Sequence, residues 1–243
     1  MEVAEVRLPR YNMLMSKRKI SFVDGEFYHI YSRGNNKQKI FLDNYDYERF
    51  IKLLYLCNSS KSIEFREDIV RTGINAWDFD RGQLIVNIGA WVLMPNHFHL
   101  YVTINNSRKS DFRKRKNEIT EFMRKLLTSY SKYFNKKYKR TGGLFEGKFK
   151  SVHVKDEVQA KYLFSYIHLN PIKLIERNWK IEGIKDWKNA KNFLEKYRWS
   201  SYLDYKKVVR SENRILNTEN FPEYFRTITD FDHEINDWLT FLS

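Results

Sequence analysis

The sequence is short of cysteine, glycine, proline and long apolar runs. Its single cysteine, Cys57, cannot form an intrachain disulfide, and it excludes a metal site built from paired cysteines. Nine glycines and four prolines in 243 residues predict mostly regular elements with few loops. No stretch approaches the ~18 apolar residues of a membrane span, and residues 1–19 lack the apolar core of a signal peptide. We therefore expect a cytoplasmic protein without a membrane segment.

Positive charge and aromatic side chains are plentiful. Lysine and arginine number 44 against 30 aspartates and glutamates, which gives a formal net charge of +14 at pH 7. Hydrophobic residues make up 42% of the chain and aromatic residues 16%, enough to bury a core and to exclude wholesale disorder. A folded protein this basic is expected to bind a polyanion, which is usually nucleic acid and less often an anionic membrane surface.

The hydrophobic pattern predicts a fold of the α+β class. Strands and helices are predicted in the order strand, helix, strand, strand, helix, strand, helix, over residues 26–33, 43–57, 83–94, 97–104, 111–139, 144–154 and 156–170. This order indicates an antiparallel sheet with helices on one face. Residues 1–24 are predicted to be a basic arm, 25–175 the main domain and 176–243 a helical C-terminal extension. Residues 58–82 are too polar to assign.

Two histidines, His97 and His99, stand two residues apart in a predicted central strand. Side chains alternate between the faces of a strand, so both imidazoles lie on one face while Phe98 points into the core. At ~6–7 Å apart, two such imidazoles can share one metal ion. The alternative is two unrelated polar side chains on an exposed sheet face. Their position in the most apolar part of the chain favours a functional use.

A second group lies in the predicted helix that ends at Pro171. Tyr166 and Asn170 are four residues apart and share one helix face, whereas His168 points away and is expected to be structural. Tyrosine offers a nucleophilic oxygen, and an asparagine carbonyl can ligate a hard cation. With the two histidines, Asn170 would complete a three-ligand site for Mg²⁺ or Mn²⁺ holding a phosphate oxygen. The alternatives are that Tyr166 only packs on the sheet, or that Tyr162, one turn earlier, is the reactive tyrosine.

Basic residues crowd the second long helix and the strand that follows it. As a group they predict a phosphate track whose binding is weakened by salt, formed by Arg113, Arg115, Arg124, Lys132, Arg140, Lys148 and Lys150. The alternative for any one of them is a solvated helix face. Aromatic residues between them could stack on bases, although their helical spacing is more typical of core positions.

Five short stretches, in this order, resemble the HUH single-strand endonucleases, and more narrowly the REP-associated tyrosine transposases among the single-tyrosine HUH transposases. They are YHIYSRGN at 28–35, WVLMPNHFHL at 91–100, LFEGKFKS at 144–151, YIHLNP at 166–171 and WSSY at 199–202. The second stretch carries the His-hydrophobic-His strand and the fourth resembles the catalytic helix. The histidine pair alone would be a weak signal, whereas the ordered set is specific.

The resemblance implies a ferredoxin-like antiparallel sheet with helices, the HUH endonuclease fold, with the two histidines on a central strand. It implies that residues 25–175 form a catalytic domain that cleaves and rejoins single-stranded DNA beside REP-like hairpins, with Mg²⁺ or Mn²⁺ as cofactor. By position in the motifs, Tyr166 is the nucleophile that forms a 5′-phosphotyrosine, and Asn170 is the third metal ligand beside His97 and His99.

Arg33 and Asn35, at the end of the first matched stretch, are also predicted to contact DNA. Three other functions stay open: a hairpin DNA- or RNA-binding protein without catalysis, a metal-dependent hydrolase that uses water in place of tyrosine, and a relaxase or replication initiator of the same fold. The C-terminal extension favours a monomer over a dimer that exchanges its tyrosine helix. The sequence names neither a general base nor a target, and it leaves the roles of 58–82 and 206–243 open.

Overall fold

The computed structural model describes residues 21–105, 118–223 and 227–241, so most of the predicted N-terminal arm lies outside the described residues. The strands are β1 (Phe27–Arg33), β2 (Val86–Met94), β3 (His97–Ile104) and β4 (Lys150–Val154). The α-helices are α1 (Asn44–Cys57), α2 (Glu118–Lys137), α3 (Glu157–Leu169), α4 (Trp179–Glu182), α5 (Trp187–Lys196), α6 (Tyr202–Tyr205) and α7 (Ile228–Phe241). Within these described ranges, no helix has the length and apolar character needed to cross a membrane.

The four strands form one antiparallel sheet in the order β2-β3-β1-β4, which confirms the predicted α+β class. β3 is therefore a central strand, as expected for the strand with two histidines. Pro95 and Asn96 make the tight turn between β2 and β3, where the apolar run of the sequence breaks. β2 is buried at every position, which is typical of a strand covered on both faces.

Helices cover both faces of the sheet, so the expectation of helices on one face is wrong. α1 and α2 pack on the face that carries Ile30 and Phe98, which we call the first face. α3 packs on the opposite, second face, which carries Val92 and Tyr101. The physical reason is that β2 carries apolar side chains on both sides, such as Leu93 on the first face and Val92 on the second, and both sides must be removed from water.

The first face is an aromatic and aliphatic core. α2 contributes a stripe at three- and four-residue spacing, made of Ile119, Phe122, Met123, Leu126, Tyr130 and Phe134. α1 begins after Asp43, whose carboxylate accepts a hydrogen bond from the Asp46 amide at 3.0 Å and caps the helix. Segment 58–82 packs against this core as well, because the Trp77 ring lies 5.1 Å from the Tyr55 ring. The segment to which the sequence assigns no structure thus packs against the core of the first face.

The second face is covered by α3 and by residues from the predicted C-terminal extension. Residues 199–201 pair with the outer edge of β2, with Leu93 N donating to Trp199 O at 2.8 Å and Ser201 N donating to Trp91 O at 2.9 Å. The Trp199 side chain itself belongs to the core of the first face. Helices α5, α6 and α7 add buried side chains to the same core, namely Ala190, Leu194, Tyr202, Phe231, Ile235 and Leu239. The C-terminal helices and α3 therefore share one hydrophobic core.

Two of the element boundaries that differ from the prediction lie near the candidate site residues. β4 is shorter than expected because residues 144–149 cross the end of β1, where Glu146 N donates to Arg33 O at 2.8 Å. α3 ends one residue early and continues as a 3-10 turn, Asn170–Leu174. Pro171 lacks the N–H group that an α-helix needs, so the change of helix type falls at this point.

Candidate functional site

Five polar side chains meet on the second face, along the two central strands. His29, Tyr31 and Arg33 alternate along β1, and His97 and His99 alternate along β3. The antiparallel register sets Tyr31 opposite His99 and Arg33 opposite His97. Phe98, which stands between the two histidines, is fully buried on the first face. The strand thus divides its side chains as the sequence predicts.

Each histidine of β3 has one ring nitrogen engaged. His97 Nδ1 donates to Asn96 Oδ1 at 2.6 Å, which leaves the His97 Nε2 lone pair available. His99 Nδ1 lies 2.8 Å from His29 Nε2, and these two rings are stacked with centroids 5.0 Å apart. His99 Nε2 is buried without a hydrogen-bond partner among the described residues. Metal-binding histidines usually have this arrangement, in which one ring nitrogen is hydrogen bonded and the other is available to the metal ion.

All three imidazoles are neutral at pH 7. Burial, the largest cause, lowers the pKa of His97 to about 4, and the positive charges of Lys173 and Arg33 act in the same direction. Burial also lowers the pKa of His29 to about 3 and the pKa of His99 well below its ordinary value. Only a neutral imidazole has a lone pair for a metal ion, so these low pKa values favour metal binding near neutral pH.

Tyr166 reaches this group of histidines from α3. Its ring lies edge-on to the His99 ring, with centroids 5.4 Å apart. Burial raises the pKa of the Tyr166 phenol to about 12, and a hydrogen bond from Asn170 acts in the opposite direction. The Lys180 ammonium lies 3.6 Å from the centroid of the Tyr166 ring, a cation–π distance. The phenol is therefore protonated at neutral pH and must lose its proton to act as a nucleophile.

The donor types around Tyr166 fit a divalent cation. His97 and His99 offer imidazole nitrogens, and the buried Asn170 Oδ1 has no hydrogen-bond partner in the part of the chain that the structure describes. Two nitrogens and an amide oxygen leave positions open for phosphate oxygens or water. Within the described ranges, no three histidine, cysteine, aspartate or glutamate side chains are grouped to hold a metal. A three-ligand site at this position would therefore include a donor of another type, and Asn170 is the one that the sequence predicts.

A cavity of about 950 Å³ opens in front of these residues, with His97, His99 and Tyr166 in its wall. Its cationic lining residues are Arg33, Lys37, Lys39, Lys148, Lys150, Lys173 and Arg177. Among the described lining residues the one acid is Glu146, and it pairs with Arg33 at 2.6 Å. We call this space the basic cavity. Its charge suits the phosphate backbone of a nucleic acid.

The predicted DNA-contacting residues separate into groups. Three line the basic cavity, namely Arg33, Lys148 and Lys150. Three lie on or just after α2, the helix of the first face, and are Arg124, Lys132 and Arg140. Asn35 is exposed just beyond β1, while Arg113 and Arg115 fall outside the described residues. The structure thus brings only the first group together with the histidines and Tyr166.

Sequence reasoning did not single out His29, Tyr31 and Lys180, which surround Tyr166 and His99. A signal for the first two exists, because the alternation His29, Tyr31, Arg33 on β1 has the same spacing as the histidine pair. An antiparallel neighbour of β3 would place those side chains on the histidine face. No comparable signal marks Lys180, which comes from the short helix α4 after the 3-10 turn.

Comparisons with known proteins give a structural similarity and no sequence match. No family model matches the chain, and no curated protein matches it. Among solved structures, a REP-associated tyrosine transposase bound to a REP hairpin matches over 82% of this chain and 90% of its own, with 14% sequence identity and a TM-score of 0.43. At that identity and score, the similarity assigns no activity to this chain, and its function must be inferred from the site.

Proposed function

We propose that the protein is a metal-dependent enzyme that cleaves and rejoins single-stranded DNA through a 5′-phosphotyrosine at Tyr166. The observation that carries the proposal is the placement of the Tyr166 ring against His99 in the wall of the basic cavity. The cavity wall thus combines a nucleophilic oxygen with nitrogens suited to a metal ion and with cationic side chains suited to phosphates. The preference for strands with a REP-like hairpin rests on the resemblance of the five sequence stretches.

The cleavage step is an exchange of one phosphoester for another. The Tyr166 oxygen attacks the phosphorus of a phosphodiester, and the bond from phosphorus to the 3′ oxygen breaks as the new P–O bond forms. The products are a 5′-phosphotyrosine and a free 3′-OH, with the phenol proton moving in net to the 3′ oxygen. Because the number of phosphoester bonds is unchanged, the 3′-OH of another strand can reverse the step and join the ends.

The side chains around Tyr166 prepare it for this step. The Asn170 side chain acts against the burial that raises the pKa of the phenol. His29 Nε2 contacts His99 Nδ1 and holds the His99 ring in place, so the direction of His99 Nε2 is fixed before a substrate binds. The chemistry that a divalent cation held by His97, His99 and Asn170 would supply is withdrawal of charge from the non-bridging phosphate oxygens.

The direct test is incubation with single-stranded DNA in which a hairpin is flanked by unpaired arms, in the presence of Mn²⁺ or Mg²⁺. We expect a protein–DNA adduct that survives a denaturing gel and that peptide mapping places on Tyr166. Cleavage without an adduct would instead indicate a hydrolase that uses water. Binding without cleavage at any metal concentration would indicate a hairpin-binding protein without catalysis.

A further inference from the structure

A second, smaller cavity of about 250 Å³ also has the Tyr166 side chain in its wall. Its wall includes His29, Val152, Tyr162, Leu163, Tyr166 and Lys180. We call it the tyrosine cavity. Tyr166 therefore borders both cavities, since it also lines the basic cavity. The volume is below the ~300–1,000 Å³ of pockets for drug-sized ligands, so it suits a single flat ring system.

The aromatic walls of the tyrosine cavity are held in place by the rest of the fold. The Tyr162 and Tyr166 rings are nearly parallel, with 5° between their planes and centroids 6.3 Å apart. Trp238 of α7 packs against Tyr162 with centroids 5.7 Å apart, and its indole N–H donates to Glu234 at 2.8 Å. Ser165 of α3 donates to the same carboxylate at 3.0 Å. A flat ligand would thus meet aromatic faces that are already oriented, which lowers the entropy cost of stacking.

Lys180 is the one basic lysine or arginine among the described lining residues of the tyrosine cavity, whose wall also carries the polar side chains of His29 and Gln159. Its ammonium lies over the Tyr166 ring and has no carboxylate partner among the described residues. Loss of water around the ammonium, followed by repulsion from Lys173, lowers the pKa of Lys180 to about 8, although the residue as a whole is exposed. The group is therefore a charged donor at pH 7. An ammonium donates hydrogen bonds and accepts none, so it selects a ligand that offers an acceptor such as a carbonyl oxygen.

We propose that the tyrosine cavity binds one nucleobase of the DNA strand, next to the phosphate that Tyr166 attacks, and that Lys180 selects a base with a carbonyl oxygen. The inference rests on the proposed function for its substrate class. Thymine, cytosine and guanine each carry a carbonyl oxygen, whereas adenine carries an amino group where guanine has its carbonyl and accepts hydrogen bonds only at ring nitrogens. The base stacks on Tyr162, and this leaves the strand running through the basic cavity with its phosphates against the lysines.

The first experiment measures photocrosslinking without any variant. Hairpin DNA whose unpaired arms contain 5-iodouracil, which crosslinks to stacked aromatic residues, is bound to the wild-type protein in EDTA and irradiated, and the modified peptide is mapped. We expect the crosslink on Tyr162. A crosslink confined to the tyrosines of α2, or none on α3, overturns the proposal.

The second experiment measures affinity in EDTA for hairpins with thymidine, adenosine or abasic arms. Base stacking contributes ~1–3 kcal/mol, so Tyr162→Leu should weaken binding to thymidine arms about fivefold or more, while Tyr162→Phe keeps the ring and the affinity. Tyr45→Leu is the matched control, because Tyr45 is a tyrosine of α1 that is 73% exposed on the first face. Lys180→Met should remove the preference for thymidine over adenosine arms, and Lys180→Arg should keep it.

The outcomes separate this proposal from the proposed function. If the adduct forms on Tyr166 but Tyr162→Leu folds and binds as the wild type does, the base subsite is wrong and the cleavage reaction stands. If no adduct forms while the crosslink maps to Tyr162, the subsite is supported in a protein that binds without cutting. Thermal melts show whether each variant is folded, and the wild-type crosslink decides the question if Tyr162→Leu is not.

Discussion

The first and second faces of the sheet are built from alternate residues of the same strands, but their chemistry differs. On the first face, Phe98 is fully buried and packs against Phe50 with ring centroids 5.0 Å apart. On the second face, one residue to either side, His97 and His99 carry nitrogens beside a cationic cavity. Because these residues are neighbours in the sequence, the difference in chemistry between the two faces depends only on the alternation of side chains along the strand.

The difference shows how the fold supports the site. A shift of one residue in the pairing of β1 and β3 would exchange the two sets of side chains, and would bury the histidines among α1 and α2. The apolar first face therefore fixes the register that brings Tyr31 opposite His99 on the second face. We infer that stability resides mainly on the first face and reactivity on the second, and the following predictions test that division.

The largest expected effect is on the second face, at the nucleophile. Tyr166→Phe removes one oxygen and keeps the ring against His99, so strand cleavage and adduct formation should fall by several orders of magnitude, on the order of 10⁶-fold as for other covalent nucleophiles. Hairpin binding should be nearly unchanged, because the ring and the net charge at pH 7 are kept. Adduct yield on a denaturing gel and affinity by gel shift measure the two properties.

The matched control is Tyr162→Phe, one turn earlier on the same helix. It should keep both cleavage and binding, because Tyr166 lies against His99 and lines the basic cavity, whereas Tyr162 is not among the residues that line it. An adduct that persists in Tyr166→Phe and maps to Tyr162 would reassign the nucleophile.

The next largest effect compares neighbours on β3. Phe98→Ala should lower the free energy of unfolding by ~3–5 kcal/mol, since it leaves a cavity in the first core. His97→Ala should cost about 1 kcal/mol, the contribution of one hydrogen bond, yet abolish metal-dependent cleavage. Urea denaturation and the adduct assay measure these properties. Equal destabilisation by the two substitutions would contradict the division between the faces.

Most of the fold could be predicted from the sequence, because it depends on local periodicity. The His97–Ile104 strand, the cap at Asp43 and the helix stop near Pro171 follow from alternation, hydrogen-bonding chemistry and the properties of proline. The helices on the second face could not be predicted from local periodicity, because an apolar run such as 86–94 does not indicate which elements pack on its two sides.

The site was predictable only where its residues are close together in the sequence. His97 with His99 and Tyr166 with Asn170 are pairs within a single strand or helix. His29 and Lys180 join them through the β1–β3 register and the packing of α4, which are long-range features. The basic residues show the same limit, because a run of lysines along α2 does not reveal that the helix covers the face opposite Tyr166.

A smaller effect concerns acid stability, which should arise on the second face. His168 is fully buried, with Nδ1 donating to Phe164 O at 2.9 Å and Nε2 lying 2.8 Å from Ser201 Oγ, as expected for a structural histidine. Burial lowers its pKa from 6.5 to about 3. His168 therefore binds a proton below about pH 6.5 in the unfolded chain, but only below about pH 3 in the folded chain. Over that window His168 should remove about 1.4 kcal/mol of stability per pH unit as the pH falls.

The measurement is the free energy of unfolding in urea at pH 7.5, 6.0 and 5.0. His168→Gln cannot titrate, so its pH slope should be smaller than that of the wild type by about one proton, even though it is less stable at pH 7.5. A slope that is unchanged in His168→Gln would show that this imidazole is not held neutral in the folded protein.

The smallest effect decides which face carries the phosphates. Lys148 and Lys150 line the basic cavity, whereas Lys132 and Lys136 are exposed on α2 of the first face. For single strands, the slope of log affinity against log salt changes by about 0.7 per phosphate contact. Lys148→Gln with Lys150→Gln should therefore flatten the slope by about 1.4, and Lys132→Gln with Lys136→Gln should leave it unchanged. Both pairs remove the same charge, so a difference between them reports position and not net charge. The reverse result would place the phosphate contacts on α2, which carries only part of the track predicted from the sequence, and would separate DNA binding from the face that holds Tyr166.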